Sequence, residues 1–495
     1  MDSPQDLVDI IIPFSDSKQV LGNSRVADYI YKYLEEQGAE SCIVEREYID
    51  KDFLIDYSKY YSRSFNKGGK RLTTRLHFFS CCLTHNDFER IFSNGNKEDK
   101  ENDKKYLNDN YLGFTVLKPI TDFENNPLIG RTLLKTYPEE DGDAKRVFLK
   151  DTYSVSLYGI PLTVESLPYQ TQDSTVGGCA TIACWVAQYP LSKLFGTPIE
   201  SPYEITERSI SVIAAAAPMD RDFPSKGLYL PQMKNCFIKI GLDTEWIVPY
   251  LFQGYGNSSS TGDIVADIVR AYINMGLPVI ATIELKRPLP RRKIRHRVSR
   301  YIRRIRDTPE VGYHAVVISG YRHINGKITE LYLHDDGIGP YCRTQSVGNF
   351  SGWHNEWIWR SEYESIQICS LLIPIYPKLR LIFPTIYRAY LKAKRNFEFQ
   401  SLQYIKSRNL NPDLVKFFDT ELLLTDIKKY KSELFEKNFR DKLNILRRPM
   451  PRFVWVIRWK FDGTPIVDLV YDGTSEVEIV EKDQKTGELV TILYE

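Results

Sequence analysis

Asn325-Gly326 stands between two runs rich in Val, Ile, Leu and Tyr, Val311 to Tyr321 and Ile328 to Gly337. Asn-Gly is the strongest short signal for a two-residue hairpin turn, because both central residues of that turn need positive φ. The segment therefore commits the chain to an antiparallel strand pair. With the turn centred on Asn325-Gly326, paired positions sum to 651, so Val316 faces Asp335 and Ala315 faces Asp336. Side chains alternate along a strand, and directly paired residues share a face. His314 then shares its face with Val316 and has Asp335 as a diagonal neighbour, whereas His334 and Asp336 are expected to point the other way. The register picks Asp335 as the carboxylate able to orient His314.

A complementary segment lies well upstream: Gln172-Asp-Ser-Thr-Val-Gly-Gly-Cys179-Ala-Thr-Ile-Ala-Cys-Trp185. A polar loop with two glycines leads into a run of small and apolar residues that reads as the start of a buried helix. A thiol at a helix N-terminus has its thiolate stabilised by unpaired backbone N–H groups and by the positive end of the macrodipole. Gly177 and Gly178 are expected to let the backbone turn tightly, and Gln172 to offer an amide donor to an oxyanion, with Gln170 as the alternative donor. Cys184 is the rival nucleophile. It sits five residues inside the apolar run, where burial would raise its pKa, and Cys179 is preferred.

Cysteine nucleophile, histidine base and orienting carboxylate, in that chain order, are the parts of a thiol-hydrolase site. Over roughly residues 165–375 the sequence resembles the papain-like cysteine peptidase superfamily. It is most similar to the bacterial branch that trims double-glycine leaders from bacteriocins. The matching pieces are Gln172, Cys179 at a helix start, His314-Ala315-Val316 and Asp335. The chain departs from that branch at the nucleophile, where Gly178-Cys179-Ala180 replaces Asp-Cys-Gly, and Cys184-Trp185 supplies the Cys-Trp dipeptide of papain. The resemblance implies an α+β fold with a papain-like core: a central helix carrying the cysteine packed on an antiparallel sheet carrying the histidine and aspartate. It implies a cysteine peptidase acting on a protein or peptide substrate, with no cofactor and no metal. A papain-fold acyltransferase or deamidase would use the same residues.

At 495 residues the chain is long enough for two or three domains. We expect an N-terminal α/β domain over 1–150, the peptidase-like domain over 151–375, and a helical then β region over 376–495. A hydrophobic content of 42% supports large cores, and no apolar run reaches the ~18–20 residues of a membrane helix. The first residues, Met-Asp-Ser-Pro-Gln-Asp, lack the basic start and apolar stretch of a signal peptide. Eight cysteines without a Cys-x-x-Cys suggest neither a disulfide framework nor a zinc site. The expectation is a cytoplasmic protein with reduced thiols and no membrane contact.

Periodicity and caps give further expectations. Strands are read at 7–14, 41–47, 75–79 and 111–119, and helices at 24–37 and 50–65. His77 reads as a satisfied core residue, 94–109 as an exposed loop, and Gly130-Arg131-Thr132 as a turn. Further on, Glu204 to Ala217 and Thr261 to Met275 read as helices, the latter closed by Gly276, and Leu277 to Glu284 and Ser365 to Ile375 as strands. Residues 376–445 read as helical and basic. A strand pair is expected around Asp462-Gly463, and a terminal hairpin over 476–494.

One insertion stands out by charge: Lys286 to Arg306 holds eleven Lys or Arg and no acid. Such a block is either a solvated surface or a contact for nucleic acid or another polyanion, and its place ahead of His314 suits a lid. A catalytically silent papain-like module binding a polyanion there is the non-enzymatic alternative.

Overall fold

In the computed structural model the described residues are 10–63, 71–93, 96–122, 124–140, 142–173, 175–210, 227–253, 260–287, 311–347, 352–354, 365–475 and 488–495. Helices and strands are both abundant and the strands pair antiparallel among the described residues, so the fold is of the mixed α+β kind.

The N-terminal region is a five-stranded meander: Ile11–Pro13, Ser41–Tyr48, Thr73–Phe79, Tyr111–Thr121 and Pro127–Leu134. The helix Arg25–Glu36 lays Val26, Ile30 and Leu34 on one face, and Ser24 caps it by accepting from Ala27 N–H. The two-stranded ribbon Asp151–Leu157 and Ile160–Ser166 covers the other face with Val155, Leu157 and Leu162. His77 is fully buried, with Nδ1 2.9 Å from Tyr111 Oη and Nε2 3.2 Å from Glu45. Two expectations fail in this region. Residues 97–109 are helical, with Asn96 as the cap and only Leu107 buried, because Lys and Glu suit an exposed helix whatever the polarity of the stretch. Gly130-Arg131-Thr132 lies inside a strand rather than a turn, and Arg131 is structural, with Nη2 2.7 Å from Asp50.

The central sheet has the order Gly352–His354, Gly339–Val347, Lys327–Asp335, Val311–Ile324, Val279–Lys286, Ser365–Ile375, Asp243–Ile247. Ala144–Phe148 also pairs with the far end of Val311–Ile324. The helices Cys179–Phe195 and Thr261–Met275 share one apolar core with this sheet, through Ile182, Trp185, Val186, Ile268 and Tyr272 against Ile280, Val316 and Ile318. Gly276 closes the second helix at φ 88°, the left-handed cap its position predicts.

The C-terminal region opens with the long helix Phe383–Ser407. It then breaks the expected helical run with the strand Phe418–Asp426, the edge of a four-stranded sheet with Phe453–Phe461, Thr464–Asp472 and Glu488–Leu493. Leu422 and Leu424 are buried on one face of that strand, a period-2 pattern inside a basic stretch that composition masks. The Asp462-Gly463 turn has φ 47° and 74°, the positive pair a two-residue hairpin needs. Among the described residues no helix is long and apolar enough to cross a membrane. Residues 211–217 of the expected helix, 288–306 of the basic insertion and 476–487 of the terminal hairpin lie outside the described residues.

Candidate active site

The Asn325-Gly326 turn forms with φ 48° and 80°. Pairing starts in the expected register, Ile324 opposite Lys327 and His323 opposite Ile328. One irregularity then shifts it, so that Arg322 faces Glu330 and Gly320 faces Tyr332. A second irregularity, past Ser319, restores it, with Ile318 facing Leu333 and Val317 facing His334. Each bulge adds one unpaired residue, the first on the Lys327–Asp335 strand and the second on its partner, so they cancel. The diagonal relation of His314 to Asp335 survives.

His314 Nε2 lies 2.9 Å from Asp335 Oδ1, and the Cys179 thiol hydrogen-bonds the same imidazole. Asp335 is fully buried, and its Oδ1 also accepts from Gly337 N–H at 3.0 Å. The Asp335 backbone carbonyl accepts from Tyr169 Oη and Ile338 N–H. His334 points to the other face, as the register requires: its ring lies against Tyr169 and Tyr341, and burial lowers its pKa to about 3. Asp336 does not follow it. The strand ends at Asp335, alternation lapses in the turn, and Asp336 Oδ1 comes to 3.5 Å from His314 Nε2. Its Oδ2 is buried without a partner among the described residues.

Two carboxylates therefore face one imidazole. Burial alone would lower the His314 pKa, but the charges of Asp335 and Asp336 and the bonds to Asp335 and Cys179 hold it well above the ordinary 6.5. Burial raises Asp336 to about 7; His314 pulls it back and Asp335 adds to the rise. The three ligand atoms lie within 4.8 Å of one another, close enough to bracket a metal ion as well as a proton.

Cys179 is the first residue of its helix and is partly exposed. Cys184 is fully buried, and burial together with the neighbouring Cys236 thiol holds its pKa well above 9.0. The glycines before Cys179 act differently from the expectation. Gly178 is extended (φ −72°, ψ 173°), a conformation open to any residue. Gly177 matters for space: a Cβ there would lie 3.1 Å from Ile182 Cδ1 and 3.4 Å from Pro202 Cβ. The turn itself is made by Asp173, whose Oδ1 accepts the N–H groups of Thr175, Val176 and Gly177. An Asp ahead of a Ser-Thr-x-Gly stretch is a recognisable side-chain turn signal, and it marks Asp173 in the sequence.

The two glutamines are placed unlike one another. The side chain of Gln172 is at the surface. Gln170 is 1% exposed, and its Nε2 has no hydrogen-bond partner among the described residues.

No family model matches this chain, and no curated protein matches it significantly.

Proposed function

We propose that the chain is a thiol hydrolase with a papain-like core, most specifically a cysteine peptidase. The observation that carries the reading is a single imidazole bonded to both a helix-N-terminal thiol and a buried carboxylate. His314 uses Nε2 for Asp335, which leaves Nδ1 to take the Cys179 proton. The raised basicity of His314 favours a thiolate–imidazolium pair, and the place of Cys179 at the first residue of its helix adds the positive end of the macrodipole. The thiolate attacks a scissile carbonyl carbon, and the C–N bond breaks as the imidazolium gives its proton to the leaving amine. Water, deprotonated by the same imidazole, then releases the acid from the thioester.

The oxyanion takes donors from the Cys179 backbone N–H and, in this reading, Gln170 rather than Gln172. An amide at the surface is hydrated, whereas a buried N–H without a partner is costly until a ligand supplies the acceptor. The test is digestion of a peptide library by wild type, Cys179→Ala and His314→Ala. The reading requires cleavage by wild type alone; wild-type inertness, or cleavage that persists in both variants, rejects it.

A further inference from the structure

The nucleophile loop is gripped from outside its own sheet. Tyr61, in a short 3-10 turn after the helix Lys51–Lys59, donates its hydroxyl to Asp173 Oδ2 at 2.7 Å and also hydrogen-bonds the Thr175 side chain. Asp173 thus holds three loop N–H groups with one oxygen and is itself fixed through the other. Both residues are buried. Val176, fully buried, packs with Phe53, Tyr61 and Ile120, so the loop also contributes the apolar residue that seals this contact.

The same helix reaches the nucleophile helix. Asp52 Oδ2 accepts from Trp185 Nε1 at 3.1 Å and from Tyr189 Oη at 3.4 Å, about two and three turns past Cys179. Asp56 Oδ1 accepts from Tyr203 N–H at 3.0 Å. On the approach to the loop, Thr132 and Tyr169 exchange two backbone bonds, 2.7 and 3.0 Å, and Thr171 N–H reaches Ile129 at 3.1 Å. Before, within and after the loop, partners thus come from the first 150 residues, beside the loop's own Asp173 and the Thr206 hydroxyl, which donates to the Val176 carbonyl at 2.7 Å.

We propose that the first 150 residues serve as a built-in positioning unit for the nucleophile, with Tyr61 and Asp52 as the positioning residues that set the Cys179 loop and helix against His314. The inference rests on the thiol-hydrolase reading above and extends it to a region with no chemistry of its own in view. A rigid, buried clamp matters because a misplacement of about 1 Å at a reacting atom can cost about 10²-fold in rate. The Tyr61 hydroxyl has a role distinct from that of its ring: the ring fills the cluster, and the hydroxyl fixes the carboxylate.

Tyr61→Phe in the full chain separates the two. An epoxysuccinyl peptide gives the inactivation rate constant and the binding constant at Cys179, and hydrogen exchange reads the Thr175, Val176 and Gly177 amides. The clamp predicts an inactivation rate constant lower by about 10- to 100-fold, binding within about twofold, and faster exchange at those three amides. An unchanged rate constant, or a loss confined to binding, overturns it. If the wild-type thiol itself does not react, the thiol-hydrolase reading falls, and exchange still decides the clamp: faster in the variant upholds it, unchanged overturns it. Should Tyr61→Phe melt early, Thr175→Val removes only the second hydroxyl bond at a half-buried site and carries the same two readouts.

Discussion

His314 Nε2 and Asp335 Oδ1 lie 2.9 Å apart although two bulges separate them from the hairpin turn that sets their register. The contact is buried, and the Gly337 N–H on the same oxygen keeps the carboxylate in place. Asp335→Asn keeps the shape and removes the largest of the contributions that together outweigh burial at His314. Turnover should fall by about 10²-fold or more, within the range known for orienting carboxylates. The basic limb of the pH–rate profile should move to lower pH, because the imidazolium loses its main support. A profile that keeps its position in Asp335→Asn would remove the carboxylate from the mechanism.

Asp336 has the opposite consequence for stability. Its folded pKa of about 7 lies above its ordinary 3.8, so the folded state binds more protons across that interval and stability falls as pH rises through it. His314 acts in the same sense: its stabilisation is complete below about 6.5 and is lost as pH climbs through its raised folded value. Asp336→Asn should therefore flatten the decline of melting temperature between about pH 5 and 8, and leave the variant the more stable form at pH 8. Parallel melting curves for the two proteins would show that Asp336 is not the source.

The glutamine assignment is separable by mutation. Gln170→Ala should lower turnover by about 10²–10³-fold, the cost of one lost oxyanion donor, while Gln172→Ala at the surface changes it by less than about threefold. The reverse ranking would return the role to Gln172.

Much of the site was legible because it is local. Asn325-Gly326 dictated a turn, the turn dictated a register, and the register placed Asp335 beside His314 and His334 away from it. The two bulges were invisible, and only their cancellation kept the register useful at the site. Alternation misplaced Asp336 because it applies to strand residues and the strand stops at Asp335. Gly177 was singled out for conformational freedom, when its constraint is the 3.1 Å approach to Ile182. Tyr61 could not be found from sequence at all. Its partner Asp173 lies 112 positions away, and a tyrosine in an aromatic stripe looks the same whether or not its hydroxyl holds a loop. Burial patterns betray apolar contacts, but polar pairings between distant segments leave no periodicity.

Cys184 provides a structural control for the nucleophile. It is fully buried beside Cys236, so Cys184→Ala removes core volume rather than a reacting group. Denaturant unfolding should show a loss of about 1–2 kcal/mol, with turnover per folded molecule retained. An inactive but fully stable Cys184→Ala protein would mean that the wrong thiol has been assigned.

The most direct measurement is the site and rate of alkylation by iodoacetamide at about pH 6, read by mass spectrometry. Cys82 is exposed and Cys179 only partly so, which makes Cys82 an internal standard for a thiol governed by access alone. A thiolate–imidazolium pair predicts that Cys179 is modified first, well ahead of Cys82, and that His314→Ala abolishes this advantage. Modification of Cys82 ahead of Cys179, with His314→Ala unchanged from wild type, would contradict the account.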